Sequence, residues 1–528
     1  MPILLTNGTT AYAPTTLLIS LDGLRADFLS PELTPHLYNL SQRGLSPPYM
    51  HPSFPSVTFP NHFTLATGLL PRSHGIVGNT FFSPAIRDSF HYTTPAHSMQ
   101  PHWWTQNPST LPIWQAVEQA GGRSAVHMWP GSEVPGLGAS YIDKFAGKEP
   151  LPKKISAILN YLDLPLSQRP SFLAAYVPDI DAAGHKFGPN TTETEAVLLA
   201  VDSALATLTA EIAARNLTDI VNLIVVSDHG MATTSKTRLI PFASLINPKL
   251  IEHVEGWPLY GLRPFPDQNS TEIYESILTK HQPDSPWDVY THATFPKRFN
   301  FTAGSDTNPR IAPVWIVPHV GWAIVTAAEE AKLEKAGGEY APAGLHGYDN
   351  TDPLMRAMFM AVGPAFDGLR AGGRNLRPFQ NTEVYTIVAE TLGVKVERGD
   401  ASIGSIEELL VKVEAESEED LDSDSDSDSD DEEEKEKPEK QGKPASSTPA
   451  PTSTDAPTRP VVSTGAPAPT DSPSVGVDEP VPETPDTRTW WQLLKDKADK
   501  AKNRLETWWD DVWVKDGGGG GKGEENAE

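Results

Sequence analysis

The chain contains no cysteine among its 528 residues. Disulfides, thiolate zinc sites, a catalytic cysteine and a cysteine-derived sulfatase nucleophile are therefore all excluded. Any metal ion must be held by histidine and carboxylate side chains, of which the chain has 15 histidines and 69 Asp and Glu residues.

Positive charge is also scarce, because 42 Lys and Arg residues face those 69 acidic ones and the formal net charge is -27. This balance argues against a nucleic-acid duplex as partner, and an anionic substrate would need local cations such as metal ions. The segment from Glu414 to Glu436 holds 15 acidic residues and one Lys, so 15 minus 1 gives -14 of the -27 in 23 positions. The rest of the chain is only moderately acidic.

The sequence has no run of 18 apolar residues, so no membrane-spanning segment is predicted. The N-terminal stretch Met1 to Pro14 is too short and too polar for a signal peptide. Glycosylation sequons are nevertheless frequent, and the candidate sites are Asn7, Asn39, Asn190, Asn216, Asn269 and Asn300. We therefore expect a secretory-pathway protein, extracellular or vacuolar and membrane-associated, whose signal or anchor is missing from this chain.

The stretch Pro52-Ser-Phe-Pro-Ser-Val-Thr-Phe-Pro-Asn-His62 precedes a helical pattern over Phe63 to Leu70. It predicts that Thr58 lies at a helix N-terminus, where unpaired N–H groups and the helix dipole favour a phosphate. The simpler interpretation is that Thr58 is an ordinary N-cap residue. The residues that follow three strands elsewhere in the chain favour the phosphate site.

Three apolar runs typical of buried parallel strands each end in metal-ligand residues. They are Thr16 to Leu21 before Asp22, Phe172 to Val177 before Asp181 and His185, and Ile220 to Ser227 before Asp228 and His229. Ligands gather at the carboxyl edge of open α/β sheets. An Asp and a His four residues apart can bind one ion, so we predict a metal site built from these ends.

Other candidates lie in loops. His346 precedes an apolar strand (Met355 to Gly363) and is a candidate last ligand, and Asn79 could donate to a phosphoryl oxygen. Trp129 and Phe145 follow the strand Ala125 to Met128, and either ring could stack on a planar group or simply pack. Residues 83 to 110 are interpreted as a loop over the site.

The pattern predicts an α/β fold with a mostly parallel central sheet flanked by helices. Residues 1–412 form the catalytic domain, with an inserted α+β subregion at about 236–340, expected to be antiparallel and packed on the sheet edge. Residues 413–488 are acidic and then rich in Pro, Ser and Thr, which predicts a disordered linker. An amphipathic Trp-rich helix at 489–516 is expected to bind a protein partner or a membrane surface, and 517–528 is a flexible tail.

These motifs together resemble the nucleotide pyrophosphatase/phosphodiesterase family of the alkaline phosphatase superfamily, over about Thr16 to Gly393. The stretches that carry the resemblance are Leu21-Asp-Gly23, Thr58-Phe-Pro-Asn-His62, His74-Gly-Ile-Val-Gly-Asn79, Trp129-Pro-Gly-Ser132, Asp181-Ala-Ala-Gly-His185, Ser227-Asp-His-Gly-Met231 and His346-Gly-Tyr-Asp-Asn350. The fold that the resemblance implies is alkaline-phosphatase-like.

The resemblance implies two Zn²⁺ per chain, one held by Asp181, His185 and His346. It places Asp22, Asp228 and His229 on the other, with Thr58 as the nucleophile beside both. Asn79 would support the phosphoryl oxygen. Phe59 and Phe145 would sandwich a nucleobase.

The implied activity is hydrolysis of nucleotide phosphodiester or pyrophosphate bonds through a phosphothreonine, releasing nucleoside 5′-monophosphates. The alternative within the family is a phosphodiesterase acting on lipid head groups. The sequence differs from animal members at Val57, where they often carry Lys, and at Phe145, where they often carry Tyr. Their disulfides and flanking domains are absent. An inactive scaffold is a third possibility, although every expected ligand is present.

Overall fold

The computed structural model describes residues 4–303, 306–335, 340–371 and 373–412. The predicted linker, amphipathic helix and C-terminal tail lie outside these residues. Within them, the longer strands are β1 (Thr15–Leu21), β2 (Ser124–His127), β3 (Tyr141–Asp143), β4 (Phe172–Val177), β5 (Val221–Val226), β6 (Ile251–Glu255), β7 (Tyr260–Pro264), β8 (Trp287–Thr291), β9 (Val314–Pro318) and β10 (Phe359–Val362).

The longer helices are α1 (Pro35–Arg43), α2 (Thr58–Thr67), α3 (Ile113–Gln119), α4 (Leu151–Leu162), α5 (Asp179–Phe187), α6 (Thr192–Ala214), α7 (Ser270–Leu278), α8 (Ala327–Lys335) and α9 (Glu383–Leu392). Single-turn helices occur at Pro71–His74, Pro95–Ser98, Pro101–Trp104 and Phe242–Leu245. Short strand pairs join Leu5–Thr6 with Ala11–Tyr12, Thr80–Ser83 with Asp88–His91, Ala232–Thr233 with Gly344–Leu345, Leu239–Pro241 with Ala323–Val325, Phe379–Gln380 with Met50–His51, and Arg374–Leu376 with Leu410–Lys412.

The central sheet has the strand order β10-β5-β1-β4-β2-β3, and only β10 runs antiparallel to its neighbour. Every residue of β1, β4 and β5 is buried, because helices cover both faces of the sheet. Successive side chains point to opposite faces. Leu17 and Ile19 therefore pack in one core with Leu205 of α6, whereas Leu18 packs in the other with Ile387 of α9.

Helix α6 is long and apolar enough to cross a membrane by length and composition alone. Its apolar face packs into the core through Leu198, Val201, Leu205, Leu208 and Ile212, as the sequence stripe predicts. Buried core helices often have this length and composition, so these two properties are weak evidence for a membrane span.

The inserted subregion is a four-stranded antiparallel sheet in the order β6-β7-β9-β8, with α7 packed against it. An aromatic cluster joins it to the region around α2, and this cluster includes Phe54, Phe63, Phe81, Phe295 and Trp315. The antiparallel prediction is confirmed. The sequence pattern predicts that the subregion packs on the edge of the central sheet. In the structure, the aromatic cluster packs it against the α2 region.

The predicted loop over residues 83–110 is wrong in part. The segment begins inside the Thr80–Ser83/Asp88–His91 hairpin and continues as two single-turn helices, each started by a proline at its first position. Trp103 and Trp104 are fully buried, and Trp104 Nε1 donates to the Ser98 carbonyl at 2.6 Å. Burial of these two rings orders the segment.

Candidate active site

The carboxyl edge of the central sheet brings together the acidic residues that the sequence places after its strands. Asp22 follows β1, Asp181 lies in the first turn of α5 after β4, and Asp228 follows β5. Gly23 allows this convergence for two reasons. Its φ is +70°, which other residues rarely adopt, and a Cβ at this position would lie only 3.0 Å from Asp181 Cα. Its backbone N–H donates to Asp228 Oδ1 at 3.2 Å.

The first group of potential metal ligands is Asp181, His185 and His346. Asp181 and His185 are four residues apart on one face of α5, the spacing from which the sequence predicts that they bind one ion. Asp181 Oδ1 lies 3.4 Å from Nε2 of each histidine, and the two Nε2 atoms are 3.1 Å apart. The three atoms therefore face one point.

The second group is Asp22, Asp181 and His229, whose ligand atoms all lie within 4.8 Å of one another. Asp181 thus faces both groups, whereas the resemblance assigns it to one. Asp228 Oδ2 is 3.0 Å from His229 Nε2, which keeps it beside the second group. His229 Nε2 is also 3.4 Å from Asp22 Oδ1.

Backbone carbonyls orient all three histidine rings. Nδ1 lies 2.8 Å from the Gly344 carbonyl in His185, 2.9 Å from the Ser56 carbonyl in His346 and 2.9 Å from the Gly230 carbonyl in His229. A carbonyl only accepts, so each Nδ1 carries a hydrogen, and Nε2 is the ring nitrogen that faces the ligand group. This arrangement is typical of metal-bound histidine.

Among the described residues, the carboxylates of this cluster have no lysine or arginine as an ion-pair partner. Oδ1 of Asp22, Oδ1 of Asp181 and Oδ2 of Asp228 are buried without a hydrogen-bond partner, and their ion-pair partners within the described residues are histidines. Burial, together with the nearby Asp228 and Asp181, raises the pKa of Asp22 well above its usual range. Three converging carboxylates and three imidazoles that face them through Nε2 fit divalent cations, zinc among them.

Thr58 is the first residue of α2, and its hydroxyl lies 3.4 Å from His229 Nε2. The N-cap position belongs to Val57, whose side chain makes no capping hydrogen bond. The Thr58 hydroxyl therefore points at the second ligand group instead of satisfying the helix end, which removes the simple N-cap interpretation.

The N-terminus of α2 offers few donors for an anion. Asn79 Oδ1 accepts the Phe59 backbone N–H at 3.0 Å, and Pro60 has no N–H. Among the residues of this first turn, the Thr58 N–H is the one that makes no hydrogen bond within the described chain. The anion-binding prediction therefore reduces to this N–H and the Asn79 side-chain NH₂.

Sequence reasoning missed two residues that hold the ligands. His62 Nδ1 lies 2.9 Å from the Thr58 carbonyl and 3.3 Å from Asp228 Oδ2, while its Nε2 is 2.9 Å from Ser20 Oγ. The Tyr176 hydroxyl donates a short hydrogen bond to Asp22 Oδ2. His62 is part of the Thr58 motif, so its position was a usable signal, but nothing in the strand pattern distinguishes Tyr176 from a core residue.

The aromatic candidates have different positions. The Phe145 ring is 48% exposed, and its centroid is 6.2 Å from that of Tyr176. Phe59 is partly buried against Tyr92 and Trp104. Trp129 is 1% exposed, and its Nε1 donates to the His62 carbonyl at 3.1 Å. The ring therefore packs beneath α2, and the prediction that it could stack on a substrate is wrong.

The sequon asparagines lie at the surface, except for a half-buried Asn7 whose Nδ2 donates to the Arg215 carbonyl. The exposed ones are Asn39, Asn190, Asn216, Asn269 and Asn300. Their glycosylation stays a prediction.

Comparison with known proteins identifies the family. A family model described as type I phosphodiesterase/nucleotide pyrophosphatase matches residues 16–349. An uncharacterized pyrophosphatase/phosphodiesterase of Schizosaccharomyces pombe is 42% identical over 397 residues, which are 74% of this chain and 79% of that protein. Ectonucleotide pyrophosphatase/phosphodiesterase 1 of Saccharomyces cerevisiae is 35% identical over 451 residues, 76% of this chain and 59% of that protein.

The solved structures that match include murine ectonucleotide pyrophosphatase/phosphodiesterase 5, in an inactive form with a threonine replaced by alanine and in complex with AMP. Its TM-score is 0.64 at 26% identity, and the match covers 75% of this chain and 100% of that one. The predicted alkaline-phosphatase-like α/β fold is thereby confirmed. The chain belongs to the type I phosphodiesterase/nucleotide pyrophosphatase family, hydrolases of phosphodiester and pyrophosphate bonds.

Proposed function

We propose that this chain hydrolyses nucleotide phosphodiester or pyrophosphate bonds through a phosphothreonine on Thr58 and releases nucleoside 5′-monophosphates. The observation that carries the proposal is the Thr58 hydroxyl, which makes no capping bond and faces a buried cluster of unpaired carboxylate oxygens. The related murine protein is inactive when a threonine is replaced by alanine, and it binds AMP. Both facts support a threonine nucleophile and a nucleotide substrate.

Two zinc ions are the cofactor that we assign. Asp181, His185 and His346 would hold one, and Asp22, Asp228 and His229 would hold the other, with Asp181 and Thr58 beside both. When bound, the ions would neutralise phosphoryl oxygens and lower the pKa of the Thr58 hydroxyl. The ligand rings are already oriented through their Nδ1 atoms, so little rearrangement is needed on binding.

The residues of this chain then have distinct tasks. As the Oγ1–P bond forms and the bond to the leaving oxygen breaks, the Thr58 hydroxyl proton passes through solvent to the leaving oxygen. Water later replaces Oγ1 and regenerates the hydroxyl. The Thr58 N–H and the Asn79 NH₂ would stabilise charge on the phosphoryl group, each by about 3 kcal/mol. Asn79 is fixed for this task by its bond to the Phe59 N–H.

Phe59 and Phe145 are the proposed nucleobase contacts. Phe59 follows the nucleophile directly, and the exposed Phe145 ring lies beside Tyr176, whose hydroxyl holds Asp22. The name of the Saccharomyces cerevisiae relative denotes an ectonucleotide enzyme, which supports a secretory route for this chain together with its exposed sequons. The match spans 59% of the length of that relative.

Replacement of Thr58 tests the nucleophile. We expect Thr58→Ala to lower turnover of p-nitrophenyl thymidine 5′-phosphate by about 10⁴-fold, as for other covalent nucleophiles, with the zinc content unchanged. Thr58→Ser is the matched control, because it keeps the hydroxyl and should form a phosphoserine detectable by mass spectrometry. Retention of most activity by Thr58→Ala excludes Thr58 as nucleophile. Faster hydrolysis of glycerophosphocholine than of the nucleotide ester would favour the lipid-directed alternative.

A further inference from the structure

A second charged cluster, partly buried, lies around His127 at the carboxyl end of β2. This histidine ends β2 and is 4% exposed. Its Nδ1 is 2.9 Å from Asp143 Oδ2, and its Nε2 is 2.8 Å from Glu149 Oε2. The first contact is a hydrogen bond, whereas the second is an ion-pair contact without hydrogen-bond alignment.

The two carboxylates bind opposite nitrogens of one ring, so they cannot converge on a metal ion. An ionised carboxylate only accepts, so His127 Nδ1 donates to Asp143, and the same ring places its Nε2 against Glu149. The hydrogen bond from His127 holds the pKa of Asp143 below its usual range. The Tyr161 hydroxyl also donates to Asp143 Oδ2, at 3.1 Å. The cluster is therefore a charged bridge.

This bridge joins the two ends of a short loop, residues 144–148, between Asp143 and Glu149. Lys154, which is 2% exposed, strengthens the far end by donating from Nζ to the Glu149 carbonyl at 2.5 Å. Within the loop, the Phe145 N–H donates to Glu133 Oε1 at 2.9 Å. The loop backbone is thus fixed at both ends and at Phe145 itself.

The Phe145 ring, in contrast, is nearly half exposed, so its position depends on the loop that carries it. The ring lies 6.2 Å from Tyr176, which holds the metal-ligand candidate Asp22. Without the ring between them, Asp143 and Glu149 would no longer be linked, although the exposed Lys153 would still pair with Glu149 at 2.8 Å, and the loop would loosen. Ordering a loose loop on binding costs affinity.

We infer that His127 is a positioning residue that holds the Phe145 loop over the site and thereby sets the affinity for the nucleobase, without acting in phosphoryl transfer. This inference rests on the proposed function, because it takes Phe145 as a nucleobase contact. It extends that function from the residues that touch the substrate to the charged bridge behind them.

The test compares a substrate that has a nucleobase with one that lacks it. In the zinc-loaded full chain, His127→Gln should raise KM for p-nitrophenyl thymidine 5′-phosphate about 5- to 10-fold, with kcat changed less than about 2-fold. For methyl p-nitrophenyl phosphate, which has no base, kcat/KM should stay within about 2-fold of wild type. A loss of kcat/KM that is equal for both substrates, or an unchanged KM for the nucleoside ester, overturns the inference.

Further variants keep the test decisive. Phe145→Ala should raise KM in the same way, and His127→Gln should then add nothing in that background. A Phe145→Ala variant with unchanged KM would refute the proposed base contact itself, while the Thr58 experiment would still stand. If His127→Gln does not fold, Glu149→Gln breaks the same bridge and should shift KM in the same direction. His319→Gln is the matched control, because His319 is 3.4 Å from Asp288 in the insertion.

Discussion

Buried carboxylates occur both at the carboxyl edge of the central sheet and in the inserted sheet. Among the described residues of these two regions, those at the edge of the central sheet have oxygens without a hydrogen-bond partner. In the insertion, Glu255 is 5% exposed, and both of its oxygens are bonded. Oε2 accepts the Phe82 N–H at 2.6 Å, and the Arg263 guanidinium contacts both oxygens at 3.0 to 3.2 Å. At the sheet edge, Asp22, Asp181 and Asp228 each keep one buried oxygen without a hydrogen-bond partner.

The difference teaches how to separate a structural buried charge from a functional one. A buried charge is costly unless it is paired. Both oxygens of Glu255 are paired within the protein, by Arg263 and the Phe82 N–H, so this carboxylate needs no ligand. Asp22, Asp181 and Asp228 each keep a buried oxygen that a bound cation would pair, so they indicate a binding site.

Removal of a site carboxylate should show the largest effect of this contrast. Asp22→Asn should lower hydrolysis of the nucleotide ester by about 10³-fold or more, because the second ligand group loses one of its carboxylate charges. In chelator-treated protein the same change should raise the free energy of unfolding by about 1 kcal/mol, because an uncompensated buried charge is removed. Urea unfolding measures this. Retained activity together with a less stable chelated protein would contradict the account.

Removal of the buried carboxylate of the insertion should change stability in the opposite direction. Glu255→Ala leaves the Arg263 guanidinium and the Phe82 N–H without their partner, so we expect the free energy of unfolding to fall by about 3 to 4 kcal/mol. The kcat per folded molecule should change less than about 2-fold. Glu252→Ala, at an exposed position of β6, is the matched control and should be neutral. A kinetic defect without loss of stability would argue for a role of Glu255 in the site.

The pH dependence of stability should show a smaller effect of Glu255. Burial raises its pKa to about 7, although Arg263 opposes the rise. The folded state therefore holds this proton more tightly than the unfolded state, and stability falls as pH rises from about 4.5 to about 7. Glu255→Gln should remove about 2 to 3 kcal/mol of this decline, measured by urea unfolding at pH 5, 6, 7 and 8. An identical decline in the variant would show that other groups cause it.

Much of the site could be predicted from the sequence because each parallel strand ends at one edge. Apolar runs before Asp22, Asp181 and Asp228 were sufficient to predict their convergence. The sequence does not reveal that Asp181 faces both ligand groups, since this depends on the one-turn geometry of α5. It also hides the bond from Tyr176 to Asp22, because a tyrosine in a buried strand is normally packing.

Contacts that depend on distant backbone were beyond prediction for a similar reason. The carbonyl that orients His346 belongs to Ser56, 290 residues earlier in the chain. The insertion and the 83–110 segment pack through aromatic residues whose partners follow no local period. The elements of these regions could be guessed in part, but their packing could not.

The most direct test of the central claim is the metal content of the purified chain, measured by mass spectrometry alongside turnover of the nucleotide ester. We predict two zinc ions per chain, loss of activity on chelation, and recovery of both when zinc is restored. A chain that turns over at full rate with less than one metal ion bound would contradict the account.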